Sequence, residues 1–217
     1  YGAWVVNSAG CTTGPLPCGE HRVRDGIQLA ADGALDLDLT VVEVTGVVTV
    51  NGAPATRGSL TFASEHGAGA TATLGATAPG AYRVKLYAGA YDVGVQNGAG
   101  CEEVAALPCQ SAIVVPGKQL GISGQLDVEV PVITLGGVIT SAGQRVADST
   151  APRGTLLFTR RGGSSAASAP LTAAGDATYS LRLVPGAYDI TFSNSSDCSP
   201  GALPCQSHLL AGCETTP

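Results

Sequence analysis

The feature that most limits how this chain can fold is a short cysteine loop that occurs three times. Cys11 is followed by Leu16-Pro17-Cys18, Cys101 by Leu107-Pro108-Cys109, and Cys198 by Leu203-Pro204-Cys205. Each loop keeps step with other recurring features, so the three mark a tandem array. One such feature is the alternating run Leu35-Asp36-Leu37-Asp38-Leu39-Thr40-Val41-Val42. It returns 91 residues later (126 − 35) as Leu126-Asp127-Val128-Glu129-Val130-Pro131-Val132-Ile133. Another is a pair of strand-like runs about a glycine. Residues 82–95 (YRVKLYAGAYDVGV) return 97 residues later (179 − 82) as 179–192 (YSLRLVPGAYDITF). Gly2-Ala3-Trp4-Val5-Val6 is a shorter version, with Trp4 in the place of Tyr91 and Tyr188.

This spacing divides the 217 residues into three parts. Residues 1–40 form the C-terminal part of one repeat, 41–131 a complete repeat, and 132–217 a repeat with no match to the closing run 126–130. The chain opens inside a strand pattern without an initiating Met or a leader, as expected of a processed chain or a piece of a longer one.

The complete repeat holds seven β-type runs, near 41–50, 58–64, 69–75, 81–87, 90–96, 111–115 and 125–131. Gly, Pro, Asn or Ser turns separate them, including Asn51-Gly52 and Asn97-Gly98. No segment sustains a 3.6-residue period, and 30 glycines argue against long helices. The predicted fold is all-β: tandem seven-stranded immunoglobulin-like sandwiches with one small disulfide loop per repeat. Apolar residues fall on odd numbers at Leu35, Leu37, Leu39 and Val41, then on even numbers at Val42, Val44, Val48 and Val50. A change of parity turns side chains to the opposite face. It predicts that a continuous strand leaves one sandwich and enters the next, with a bulge at the junction. The array is then a stiff rod.

The runs Val48-Thr49-Val50-Asn51-Gly52, Gly58-Ser59-Leu60-Thr61-Phe62 and Leu86-Tyr87-Ala88-Gly89-Ala90-Tyr91-Asp92-Val93 carry a family resemblance. The pattern resembles the carboxypeptidase-regulatory-like and Cna-B-type families, transthyretin-like sandwiches common in tandem on bacterial surface proteins. The resemblance covers both large repeats and implies stalks, spacers, adhesin segments or fibre subunits. It also implies a Lys–Asn isopeptide bond. The lysines here are Lys85 and Lys118, and 132–217 has none, so the disulfides take the place of that covalent lock.

Composition removes several classes of function. The net charge is −6 and the 11 Lys and Arg are scattered, which does not suit nucleic acid. No apolar run reaches the ~18 residues of a membrane span. Low Lys beside abundant Ala, Gly and Val points to a bacterium of high GC content. Seven cysteines in a chain of this kind imply disulfides and a secreted setting on the bacterial surface. The local pairs Cys11–Cys18, Cys101–Cys109 and Cys198–Cys205 are the natural assignment, and Cys213 is left for an intermolecular bond.

Other chemistry has a plainer reading beside it. His21, His66 and His208 are expected as surface residues; His21 and His208 hold equivalent places in different repeats, and no Ser–His–Asp or Cys–His arrangement is supported. Asp36, Asp38, Asp127 and Glu129 are weak candidates for a cation site; a solvated strand face that discourages edge pairing is the alternative. Tyr91, Tyr188 and Trp4 are expected as core anchors rather than a sugar-stacking platform. No cofactor is implied. The expectation is a non-enzymatic extracellular structural protein, a subunit of a surface fibre or rigid stalk, assembling head to tail with copies of itself. The alternative is an adhesin or glycan-binding accessory module of a secreted protein, with surface glycans or envelope components as partners.

Overall fold

The computed structural model describes residues 1–8, 14–28, 30, 32–64, 67–75, 78–149, 153–161, 166–194, 203 and 205–215, with the backbone alone at 68 and 211–215. Every regular element among them is a strand. Up to Val130 these are β1 (Ala3–Asn7), β2 (Gly19–Arg24), β3 (Val41–Val50), β4 (Ala53–Pro54), β5 (Ser59–Ser64), β6 (Gly67–Thr73), β7 (Ala81–Tyr87), β8 (Gly89–Gln96), β9 (Ser111–Leu120), β10 (Gly124–Gln125) and β11 (Val128–Val130). Beyond it follow β12 (Ile133–Ser141), β13 (Gln144–Arg145), β14 (Thr155–Arg160), β15 (Ala166–Pro170), β16 (Ala177–Leu183), β17 (Gly186–Ser193) and β18 (Ser207–Thr215). The chain forms two compact units: Tyr1–Gln96 with Ile113–Val130, and Asn97–Ala112 with Pro131–Pro217.

In the first unit, one sheet runs in the order β1-β2-β6-β5-β8-β9. A second group is built on β3, which pairs antiparallel with β7 and parallel with β10 and β11. The alternation of β3 explains its place. Val42, Val44, Val48 and Val50 are each at most 1% exposed and pack into a core with Leu60, Phe62, Val93 and Val95. A buried side chain of this size contributes roughly 1.5–3 kcal/mol. The apolar alternation breaks at Gly46 for a steric reason: a Cβ there would lie 2.0 Å from the Leu126 carbonyl oxygen. Glycine lets the chain between β10 and β11 pass.

The second unit repeats the plan in part. β12 pairs with β16 as Ile133↔Leu183 and Thr134↔Arg182, the same relative register as Val42↔Leu86 and Glu43↔Lys85. A four-stranded sheet runs β15-β14-β17-β18. Leu156, Phe158, Leu171, Leu183, Tyr188 and Phe192 form the centre of the core. Arg153 is 1% exposed inside it, and its guanidinium donates to the carbonyls of Thr172, Val146, Ala147 and Gly175 at 2.7–3.1 Å. A buried cation is tolerable only when its donors are met in this way.

Both repeats turn alike after the strand that opens them. Asn51 and Gly52 have φ of 50° and 81°, and Ala142 and Gly143 have 50° and 77°. Two successive left-handed residues make the tight hairpin turn whose twist suits the flanking strands. The continuous strand expected at the parity change is two strands instead. β11 ends at Val130 and β12 begins at Ile133. Pro131, between them, has no N–H for a ladder. The equivalent run 35–39 forms no strand, and β3 begins at Val41.

Candidate functional site

Two local devices are built from side chains that fasten backbone, and the first of them recurs with the repeat. The first holds the cysteine loop. Cys101 and Cys109 form a disulfide with their Cα atoms 5.3 Å apart. Cys18 and Cys205 are also disulfide-bonded, whereas Cys11 and Cys198 lie outside the described residues. At the entrance of each loop an asparagine at or just beyond a strand end donates from Nδ2 to the Leu carbonyl of Leu-Pro-Cys. Asn7 reaches Leu16 at 3.0 Å, Asn97 reaches Leu107 at 2.7 Å, and Asn194 reaches Leu203 at 2.8 Å.

A cation closes the far side. In the first unit the Lys85 ammonium donates to the Gly14 carbonyl at 2.9 Å. In the second, the Arg182 guanidinium donates to the carbonyls of Cys101 at 2.8 Å, Ala106 at 2.9 Å and Val104 at 2.6 Å, and also to that of Glu103. Lys85 on β7 and Arg182 on β16 stand 97 residues apart, the spacing of the strand pair (182 − 85). Partial burial pushes the Arg182 guanidinium below its ordinary value, a cost that the cluster of carbonyl dipoles offsets.

The second device is the closing segment on β3. The Asp127 carboxylate accepts the Val47 N–H at 2.9 Å and an amide hydrogen of Gln125 at 2.8 Å. Those hydrogen bonds hold the Asp127 carboxyl below its ordinary value. Glu129 accepts the Gly52 N–H at 3.0 Å and the Thr49 hydroxyl. The Tyr82 hydroxyl donates to the Leu126 carbonyl at 2.5 Å, and burial, then the Asp127 charge, raises its pKa. The Glu43 N–H donates to the Ser123 hydroxyl at 2.9 Å. Asp127 and Glu129 thus spend oxygens on backbone, while Asp36 and Asp38 are exposed and form no hydrogen bond or ion pair among the described residues. No group of three His, Cys, Asp or Glu suited to a metal occurs among the described residues.

The aromatic anchors divide. Tyr91 is 3% and Tyr188 1% exposed, and each donates its hydroxyl to the carbonyl four residues before it, Tyr87 and Val184. Trp4 is 50% exposed, on a strand at the edge of its sheet, with the Arg22 guanidinium 5.3 Å above its ring. His21 stacks on Tyr87 at 4.3 Å, His208 is exposed on β18, and His66 lies outside the described residues. Cys213 lies on β18 opposite Tyr188 in the ladder, and its side chain lies outside what is described. A structural disulfide such as Cys101–Cys109 belongs to an oxidising environment. Among the described residues no helix is long and apolar enough to cross a membrane, which says nothing of a crossing built from strands.

No protein-family model matches the chain. No curated protein matches it either. Among solved structures it is similar to a DUF3823 family protein from Parabacteroides merdae, at 12% identity and a TM-score of 0.32, covering 71% of this chain and 92% of that one. It is also similar to the Bacillus anthracis TIE protein, at 12% identity and a TM-score of 0.29, covering 81% of this chain and 32% of that one. A leucine-rich repeat protein from Bacteroides thetaiotaomicron matches at 14% identity and a TM-score of 0.27, covering 81% of this chain and 24% of that one.

Proposed function

We propose that the chain is a non-enzymatic structural repeat protein of the bacterial exterior, a subunit of a fibre or rigid stalk that associates head to tail with copies of itself. Its repeats are read as tandem seven-stranded immunoglobulin-like sandwiches of the Cna-B type. The observation that carries the reading is the use made of polar side chains. Asn7, Asn97, Asn194, Lys85, Arg182, Arg153, Asp127 and Glu129 all bond to backbone. They stiffen loops and close strands, which is what a load-carrying repeat needs. Electron microscopy of the concentrated protein tests this: filaments or end-to-end chains are expected, and dispersed single particles at every concentration overturn it. Cys213 is read as an intermolecular link, so a covalent dimer is expected on non-reducing electrophoresis; a monomer band with and without reductant removes that link.

A second reading is favoured by the half-exposed Trp4 ring beneath Arg22. An exposed indole is a stacking surface for a sugar, which suits an adhesin or glycan-binding module. A glycan-array signal abolished by Trp4→Ala supports it, and a blank array removes it.

A further inference from the structure

The sequence repeat and the folded unit do not share a boundary. Cys101 and Cys109 lie in the repeat 41–131, yet Asn97–Ala112 belong to the compact unit that contains Pro131–Pro217. The loop is well seated there. Ala106 and Leu107 are 0% exposed, and Cys101, Gln110 and Ala112 are buried as well. The Arg182 guanidinium holds the carbonyls of Cys101, Glu103, Val104 and Ala106. The Tyr188 hydroxyl donates to Gln110 Oε1 at 3.4 Å as well as to the Val184 carbonyl. The first unit is made alike. Residues 14–18 precede the repeat 41–131 and fall in its unit, with Lys85 on the Gly14 carbonyl and His21 stacked on Tyr87.

The two seats differ, and each difference meets one on its loop. Lys85 and Arg182 hold equivalent places, as do Tyr87 and Val184, at the common offset of 97 (182 − 85, 184 − 87). The first loop has cysteines 7 apart (18 − 11), with Gly19 one residue and His21 three residues beyond the second. The other has cysteines 8 apart (109 − 101), with Gln110 and Ala112 in those places. The His21 ring lies flat on Tyr87, 15° from parallel. Where the loop offers Ala112 instead of a ring, the seat holds Val184, and both are buried. The longer loop presents four carbonyls to the planar fork of Arg182, a task that a compact ammonium such as that of Lys85 cannot perform. Gln110 reaches Tyr188, whereas Gly19 has no side chain to extend toward Tyr91.

The structure assigns to each sandwich a docking site for the disulfide loop of the repeat before it, and makes Lys85 with Tyr87, and Arg182 with Val184, the residues that select the loop. The occupant is a closed Leu-Pro-Cys loop whose apolar side chains are buried and whose carbonyls converge on one cation. Selection comes from misfit as much as from fit. A Tyr87-type seat crowds a loop of the second kind, and an Arg182-type seat leaves donors unmet by a loop of the first. The site therefore governs which repeat can follow which. It acts within one chain and holds whether or not copies associate.

Two experiments on the full 217-residue chain test this. The first finds which sandwich carries the loop. The Ala106 N–H donates to the Glu103 carbonyl at 3.0 Å and the Gln110 N–H to the Pro108 carbonyl at 2.7 Å, so exchange of both amides reports loop opening. Leu60 and Leu156 hold equivalent core places in the two units, 0% and 1% exposed. Leu156→Val speeds exchange of the Ala106 and Gln110 amides about tenfold, together with strands β14 and β17. Leu60→Val leaves them unchanged. Loop exchange that follows Leu60→Val, or that follows neither variant, overturns the docking site.

The second measures selection. Trp4 is the one tryptophan and lies in the first unit, so its fluorescence in urea reads that unit. Lys85→Arg with Tyr87→Val lowers the unfolding midpoint, and so does putting the sequence of 101–112 in place of 11–21. The two changes together lose less than either alone, because seat and loop match again. A combined loss as large as the greater single loss overturns the selection. If one change by itself leaves the unit unfolded, the matched chain regains its transition; a matched chain that stays unfolded overturns the selection too.

Discussion

The Arg182 guanidinium donates to the Cys101 carbonyl at 2.8 Å, joining a cation on β16 to the first cysteine of a disulfide loop across 81 residues of chain. The same guanidinium also holds the carbonyls of Glu103, Val104 and Ala106. Ala106 is fully buried, so its carbonyl finds no water when the donor is removed. Arg182→Ala is expected to cost about 2–3 kcal/mol in urea unfolding, the penalty for orphaned buried acceptors. Amide exchange should quicken through 101–109. Arg182→Lys recovers part of the loss, because one ammonium cannot replace a planar fork.

The disulfide is one of several fastenings of the loop. Its cysteines are 8 residues apart, and closing so short a loop contributes less than the ~3 kcal/mol expected for about 15 residues. Replacing Cys101 and Cys109 together by Ser should lower the unfolding midpoint and leave the far-ultraviolet spectrum unchanged. Asn97→Ala alone should cost about 1 kcal/mol. Combined with the double Ser change it should cost more than the sum, because both hold one loop. Strict additivity in urea unfolding contradicts this.

Acid tests the closing segment. Bonds from Gln125 and Val47 depress the folded-state pKa of Asp127 below the ordinary 3.8. A depressed carboxylate contributes stability above its unfolded value, and the contribution is lost as pH falls through the folded value. The parent should therefore lose more stability than Asp127→Asn between about pH 5 and pH 2, and the two curves should converge at the acid end. Parallel curves from denaturant titrations across that range count against the role given to Asp127.

Ala142 occupies a left-handed position that Asn51 fills in the first unit. An L-residue without a local hydrogen bond is strained there, and asparagine less so. Ala142→Asn should raise stability by about 0.5–1 kcal/mol, seen as a higher melting temperature. No change, or a loss, would mean that the β12–β13 turn relaxes in solution.

What the sequence made legible was what recurs in it. The runs at 41–50, 81–87 and 90–96 appear as β3, β7 and β8 because their alternation matches a half-buried strand, and Asn51-Gly52 turns as such a pair must. The cysteine loops announce themselves by spacing. The loop's clamps were hidden because Lys85 and Arg182 differ in residue type and act on partners distant in sequence. Their shared offset of 97 was the available signal. Asn97 was read as half of a turn dipeptide, although its amide holds Leu107. Arg153 was missed although Arg57-Gly58-Ser59-Leu60 recurs 96 residues later as Arg153-Gly154-Thr155-Leu156, because nothing in the repeat tells that Arg57 is exposed and Arg153 buried. The parity change pointed to a bulge, but Pro131 stops the ladder. Trp4 was grouped with Tyr91 by position, yet it lies on an edge strand and is half exposed.

Sedimentation velocity of the 217-residue chain across a concentration series measures the central claim most directly. The sedimentation coefficient should rise progressively with concentration as copies join end to end, with Cys213→Ser as well as in the parent, so that the association read is not covalent. A single monomeric species at every concentration would contradict head-to-tail association.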